Sequence, residues 1–114
     1  MEPQFVSFAH LDSFPLTDGA SAKALFGEGA MLNLVELEPG AVVARHSHPH
    51  EQLGLILRGS MNLEVDGADH MLEEMDAYAL PGDVEHQGTA GPQGALVLDV
   101  FRPVREDYRE AAAG

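Results

Sequence analysis

Two histidines and a glutamine within GAVVARHSHPHEQLGLILRG, residues 40–59, have the spacing of metal ligands on a β-strand. His46 and His48 lie two residues apart, and Gln52 follows four residues after His48. Because alternate strand residues point to the same face, the two imidazoles are expected about 6.6 Å apart on one side of the strand. Neutral imidazole is the commonest protein ligand for borderline divalent metals. The segment therefore predicts a metal site within a β-structure.

The elements that must position these residues are short strands. Strand-like runs cover residues 31–37, 42–48, 53–58, 61–66, 70–73, 77–80, 84–89 and 95–101. Turn-forming Gly, Pro and Asp residues separate the runs, and Asp66-Gly67 is a strong hairpin signal. Many short strands with regular turns are typical of an antiparallel sandwich or barrel. We therefore predict an all-β fold.

Composition limits the classes of protein to which the chain can belong. It has 114 residues, enough for one domain, and a net charge of −13, which disfavours nucleic acid and anionic lipid as partners. No apolar run reaches the roughly 20 residues of a membrane span, and no signal peptide is visible. The absence of cysteine excludes disulfides and thiolate chemistry. This absence suits a cytoplasmic location, which is the expectation.

The last predicted strand indicates a second subunit. Its outer face carries Leu96, Leu98 and Val100, whereas Asp99 shares the other face with apolar neighbours such as Phe101. Both faces are therefore expected to be covered. In so small a domain the outer cover is expected to be another copy of the chain, which predicts a homodimer.

Three regions are expected along the chain. Residues 1–30 are interpreted as an N-terminal arm or edge strand, residues 31–104 as the barrel and residues 105–114 as a C-terminal tail. The tail pattern leaves a short helix and a frayed terminus as alternatives.

The spacing from Gly40 through His46, His48 and Gln52 to Gly59 resembles the first motif of the cupin family. Most cupins have Glu where this chain has Gln52. PGDVEH at residues 81–86 resembles the second motif, with His86 at the position of the third histidine ligand. The resemblance covers roughly residues 31–101 and implies a jelly-roll barrel with a divalent metal on His46, His48, Gln52 and His86.

The second motif departs from the family pattern at Met75 and Asp83, which replace glycines, and at Ala90, which replaces a common Asn. Asp tolerates left-handed backbone, so the change at Asp83 is mild. Three imidazoles and an amide oxygen would leave open coordination positions, as in catalytic sites. Such a set suits Zn, Ni, Fe, Mn or Co. The alternative is a metal-free cupin that retains the motif.

A narrower resemblance comes from HSHPHEQ, residues 46–52, and LDVFRPVRED, residues 98–107. Together they are similar to the single-domain cupins of the KdgF type, which linearise 4,5-unsaturated uronates to ring-opened keto sugar acids. This resemblance implies that Asp99 acts as acid or base, that Phe101 forms an apolar wall and that Arg105 binds the substrate carboxylate. Gln in the fourth ligand position is shared with that group. The alternatives are a structural Asp, a core Phe and a surface Arg paired with a neighbouring acid.

The sequence pattern does not decide the activity. A small-molecule dioxygenase or isomerase is one rival, because fold does not fix chemistry. A sugar- or effector-binding module without catalysis is another. Among the remaining candidates, His50 is expected to face solvent because Pro49 interrupts its strand. The position of Arg58 is open between the barrel interior and the barrel mouth or solvent, and Tyr78 is a lesser candidate for the barrel lining.

Overall fold

The computed structural model describes residues 1–114, and strands dominate it. The strands are β1 (Phe14–Thr17), β2 (Ala20–Phe26), β3 (Met31–Leu37), β4 (Val42–His46), β5 (Glu51–Val65), β6 (Ala68–Glu73), β7 (Ala77–Leu80) and β8 (His86–Arg102). A 3-10 turn (Phe8–His10) precedes them and helix α1 (Glu106–Ala113) follows. The all-β prediction is confirmed. No helix is long and apolar enough to cross a membrane.

Two long strands, β5 and β8, pair with each other along most of their length and belong to two layers. The first layer contains β1, β2, β3, the second half of β8, the first half of β5 and β7. The second contains β4, the first half of β8, the second half of β5 and β6. All pairings are antiparallel, and the core lies between the layers.

The sequence prediction divided each long strand in two, and this was wrong. A break is expected after residue 58 and a turn at residues 91–94, yet β5 and β8 continue through both places. Gly59 and Gly94 have φ values of 78° and 77°, and a Cβ on Gly59 would lie 2.1 Å from the Gly94 carbonyl oxygen. The strands bend where the two glycines meet, and the register shifts there: Gly59 pairs with Ala95 and Met61 with Ala90, so residues 91–94 form a bulge in β8.

Four positions with left-handed backbone agree with the sequence pattern. Asp66 and Gly67, with φ values of 49° and 83°, form the β5–β6 hairpin turn. Met75 and Asp83, at the positions where cupins have glycine, also have positive φ, 73° and 69°. The chain keeps the turn geometry of the motif with residues for which that geometry is less favourable.

The two ends of the chain pack together. Residues 14–26 form the β1–β2 hairpin, which extends the first layer from β3. Residues 106–113 form α1, and its Tyr108 ring contacts Phe14 and Phe101 with centroid distances of 5.9 and 5.7 Å. The helix thereby lies against the first layer, close to the end of β8.

Candidate metal centre

Three imidazoles converge at one end of the space between the layers. His46 ends β4 and His86 begins β8, and the two are register partners. His48 follows in the β4–β5 connection and is 7% exposed. One nitrogen from each ring lies within 4.8 Å of the others. The structure brings His46 and His48 together as the spacing predicts, although β4 ends at His46 rather than continuing to His48, and the strand pairing adds His86.

The hydrogen bonds of these rings leave the Nε2 atoms free to bind a cation. The Nδ1 atoms face the backbone carbonyls of Ala44 at 2.7 Å (His46), His50 at 3.1 Å (His48) and Val84 at 2.9 Å (His86). A carbonyl can only accept, so each Nδ1 carries the proton and each Nε2 carries a lone pair. The Nε2 atom of His86 is buried without a protein partner. Carbonyl acceptors of this kind hold metal-ligating histidines in the correct tautomer.

The position of Gln52 supports a cation as well. Its Oε1 atom lies 3.1 Å from Nε2 of His48, so two acceptors face each other. Lone pairs at this distance repel unless a positive charge lies near both. Gln52 Nε2 points the other way, toward the Tyr78 hydroxyl at 3.5 Å. The donor set of three imidazoles and one amide oxygen therefore fits a divalent metal.

Burial favours the neutral forms of His48 and His86. Desolvation lowers the pKa of His48 to about 4, helped by the charges of Arg105 and His86. Desolvation also lowers the pKa of His86. Both imidazoles are therefore in the form that binds metal at neutral pH.

A polar row crosses the first layer beside the histidines. Tyr78 on β7, Gly54 on β5 and Asp99 on β8 are successive register partners. A Cβ on Gly54 would lie 2.1 Å from the Tyr78 ring, so only glycine lets the ring lie across β5. The Tyr78 hydroxyl then donates to Asp99 Oδ1 at 2.6 Å. Tyr78, a lesser candidate from sequence, is joined directly to Asp99.

Asp99 is 7% exposed and is the buried acid of the site. Desolvation raises its pKa to about 6, although hydrogen bonds from Tyr78 and Gln52 and the charge of Arg105 oppose the shift. A carboxyl group with this pKa exchanges protons readily near neutral pH.

Arg105 is the buried cation of the site. It is 9% exposed and stacks on the Tyr108 ring, with 3.9 Å from Cζ to the ring centroid. Its Nε and Nη2 atoms donate to the two Asp107 carboxylate oxygens at 3.2 and 2.9 Å. Burial alone would raise the pKa of Asp107, but these bonds and the Arg105 charge lower it. Arg105 thus pairs with a neighbouring acid and also lines the cavity, with the N–H groups of Nη1 remaining for a further acceptor.

The rings of Phe101 and His50 both pack against His48. Phe101 is 2% exposed, and its ring meets that of His48 edge-on with centroids 5.5 Å apart. His50 is half-buried, with its ring 5.5 Å from that of His48. The prediction that His50 faces solvent was wrong, because the chain turns back after Pro49 into β5. Arg58, left open by the sequence, is exposed outside the cavity.

The cavity between the layers holds about 60 Å³ and reaches from the histidines to the core. His46, Gln52, His86, Asp99, Phe101 and Arg105 all line it. Asn33 also lines it and was missed by the sequence reasoning. Asn33 is the register partner of Asp99 and so extends the polar row onto β3. The available signal was a single polar residue on the inward, otherwise apolar face of MLNLVEL.

Comparisons with known proteins agree with this geometry. The sequence model described as "Cupin domain" matches residues 33–101. The pectin degradation protein KdgF of Dickeya dadantii is 27% identical over 95 residues, which cover 82% of this chain and 86% of that protein. The structure of KdgF from a Halomonas species has a TM-score of 0.86 and 28% identity, covering 92% of this chain and 99% of that one. Dimethylsulfoniopropionate lyase DddW of Ruegeria pomeroyi is 36% identical over 64 residues, 56% of this chain and 42% of that protein.

Proposed function

This chain belongs to the cupin domain family, and we propose that it opens the ring of a 4,5-unsaturated uronate at a divalent metal held by His46, His48, Gln52 and His86. The observation that carries the proposal is the shared cavity: a buried acid and a buried cation line it beside the histidines. The similarity to two KdgF proteins, one named for pectin degradation, points to the same substrate class.

A metal bound there would supply a Lewis acid that attracts anionic and hydroxyl oxygens of the substrate. The remaining chemistry belongs to the side chains. Arg105 offers its unused guanidinium donors to the uronate carboxylate, while Asp107 and the Tyr108 ring hold the guanidinium in place. The Phe101 wall packs against the sugar ring and excludes water.

Asp99 moves the protons. Ring opening requires one proton to leave the C1 hydroxyl as the C1–O5 bond breaks and the C1 carbonyl forms. The C5 enolate that results becomes a ketone when a proton is added to C4. Ionised Asp99 accepts the first proton and protonated Asp99 returns it to C4, so atoms and charge balance over the isomerisation. A pKa of about 6 makes both forms available near neutral pH.

The test is to follow the vinyl C4 proton of unsaturated galacturonate by NMR, with protein loaded in turn with Zn, Ni, Fe, Mn and Co. We expect the signal to disappear faster than in buffer with at least one metal. Asp99→Asn should slow the reaction at least about 100-fold, whereas exposed Asp12→Asn serves as the matched control and should not. No acceleration with any metal refutes the proposal, and unchanged substrate recovered from a tight complex indicates a binding module.

A lyase acting on dimethylsulfoniopropionate is the second candidate, favoured by the 36% identity to DddW. This chain spans less than half of that protein, so the uronate proposal has broader support. Gas chromatography of the volatile sulfide released from dimethylsulfoniopropionate distinguishes the two.

We also propose that a second copy of the chain covers the outer face of the first layer. On this face Leu53 and Val100 are register partners, as are Leu34 and Leu98, and Leu53 is 45% exposed. Sedimentation velocity should give a dimer, and Leu53→Glu should give a monomer because a charge would be buried in the contact. A monomer in the unmodified protein contradicts this.

A further inference from the structure

Asn33 is the one polar side chain on the inward face of β3, which otherwise carries Met31, Val35 and Leu37. It is 1% exposed, and neither its Nδ2 nor its Oδ1 atom has a hydrogen-bond partner in the protein. Most buried polar side-chain atoms are bonded, so a carboxamide with both ends unpaired requires an explanation.

A structural explanation is weak at this position. Leaving buried donors and acceptors unpaired destabilises a fold, whereas an apolar residue of similar volume would not. Leu or Val would continue the apolar pattern of the strand and suit its backbone. The carboxamide therefore has no evident benefit for folding that an aliphatic side chain would lack.

The position of Asn33 relates it to the proposed chemistry. It is the register partner of Asp99, so its Cβ lies about 5 Å away across the pair. It lines the cavity that also contains the histidines and Arg105. A molecule bound between Arg105 and Asp99 would bring its remaining polar groups toward β3.

We infer that Asn33 recognises hydroxyl groups of the substrate, with its carboxamide donating to one and accepting from another. The inference rests on the proposed function for the identity of the substrate. A carboxamide supplies one donor end and one acceptor end, and a hydroxyl group can complement either. In a 4,5-unsaturated uronate the candidates are the ring hydroxyls at C2 and C3. A site that hydrogen-bonds a hydroxyl discriminates strongly against an isomer that cannot present it.

The first test uses Asn33→Leu, with Asn33→Val as a second variant that also suits a strand. We expect the denaturant midpoint to stay equal or rise, because the unpaired amide is removed. We expect kcat/KM for ring opening to fall about 10- to 100-fold through the loss of two hydrogen bonds. Asn62→Leu is the control: Asn62 donates to Asp69 outside the cavity, and its loss should leave kcat/KM unchanged.

Specificity provides a readout that a structural role would not change. Unsaturated uronates derived from pectate and from alginate differ in configuration at C2. The unmodified protein should discriminate between them at least about 10-fold, and the Asn33 variants should reduce that ratio toward one. A kcat/KM within twofold of the unmodified protein, or a loss with the ratio unchanged, overturns the inference. Destabilised variants with full activity would assign Asn33 a structural role instead.

A binding experiment separates failure of this inference from failure of the proposed reaction. Glucuronate and mannuronate are saturated C2 epimers, and calorimetry on metal-loaded protein measures their affinities without turnover. Selective binding of one epimer that is lost in Asn33→Leu supports the inference even if no ring opening is seen. Equal affinities for the two epimers, or binding unaffected by the substitution, overturns it, as does a protein that binds neither acid.

Discussion

Replacing Asp99 with Asn should stabilise the metal-free protein at alkaline pH while it removes the proposed acid. Burial raises the pKa of Asp99 from 3.8 to about 6. A shift of about 2 pH units corresponds to about 3 kcal/mol of free energy. This is the free energy needed to keep the carboxylate ionised in the folded protein, and the neutral Asn side chain does not require it.

The sign follows from proton linkage. Between pH 3.8 and about 6 the folded protein holds a proton on Asp99 that the unfolded chain has released. The free energy of unfolding therefore decreases as pH rises through this window. The gain from Asp99→Asn should be close to zero below pH 4 and should approach about 3 kcal/mol above pH 7.

Urea unfolding in the presence of a chelator, from pH 4 to 8, measures this difference. The depressed pKa values of His48 and His86 act equally in both proteins and cancel in the comparison. Asp12→Asn, at an exposed position, should show no pH-dependent gain. A gain that is flat across the range, or that shrinks as pH rises, refutes the assignment of Asp99 as a buried acid with a raised pKa.

The remaining predictions concern the metal and the substrate pocket. A metal at 100 times its dissociation constant should stabilise the protein by about 2.7 kcal/mol in calorimetry, and His46→Ala should abolish this. The metal affinity should fall as the pH approaches about 4, where His48 becomes protonated. Arg105→Lys should raise KM for the uronate about 10-fold with a smaller effect on kcat, because an ammonium cannot keep the two bonds to Asp107 and also present the guanidinium donors to the substrate. Gly54→Ala should displace the Tyr78 side chain and slow opening of the sugar ring at least about 10-fold. Gly29→Ala is the control and should not slow it, because no atom lies within 4 Å of the added Cβ. An active Gly54→Ala variant would contradict the requirement for the position of the Tyr78 side chain.

The fold was predictable because it depends on local signals. Alternation in MNLEVD and the Asp66-Gly67 turn identified strands and a hairpin that the structure contains. The continuity of β5 and β8 was not predictable, because it depends on Gly59 meeting Gly94, residues 35 positions apart in the sequence. A glycine between two apolar runs is consistent with a turn or with a bend, and only the contact decides which.

The site was predictable to the extent that its residues lie close together in the sequence. His46 and His48 follow from spacing alone, and the common face of Asp99 and Phe101 follows from parity; their assignment as ligands and catalytic groups stays a prediction. The neighbours of Asp99 depend instead on the register of four strands. Tyr78 reaches it across a glycine on another strand, and Asn33 lies beside it on β3. Such relations are properties of the folded sheet.

The departure of Gln52 from the common cupin Glu has a physical reason in this network. The Tyr78 hydroxyl has one proton, which it donates to Asp99, so its oxygen can only accept from Gln52. Gln52 meets both demands, since Nε2 donates to Tyr78 while Oε1 faces His48. A carboxylate has only acceptors, so it would compete with Asp99 for the same proton and place two negative charges beside one hydroxyl. The amide thus orients an oxygen toward the imidazoles and leaves Asp99 as the buried acid of the cavity. The proposed ligand set and the proposed proton carrier are therefore linked through Tyr78.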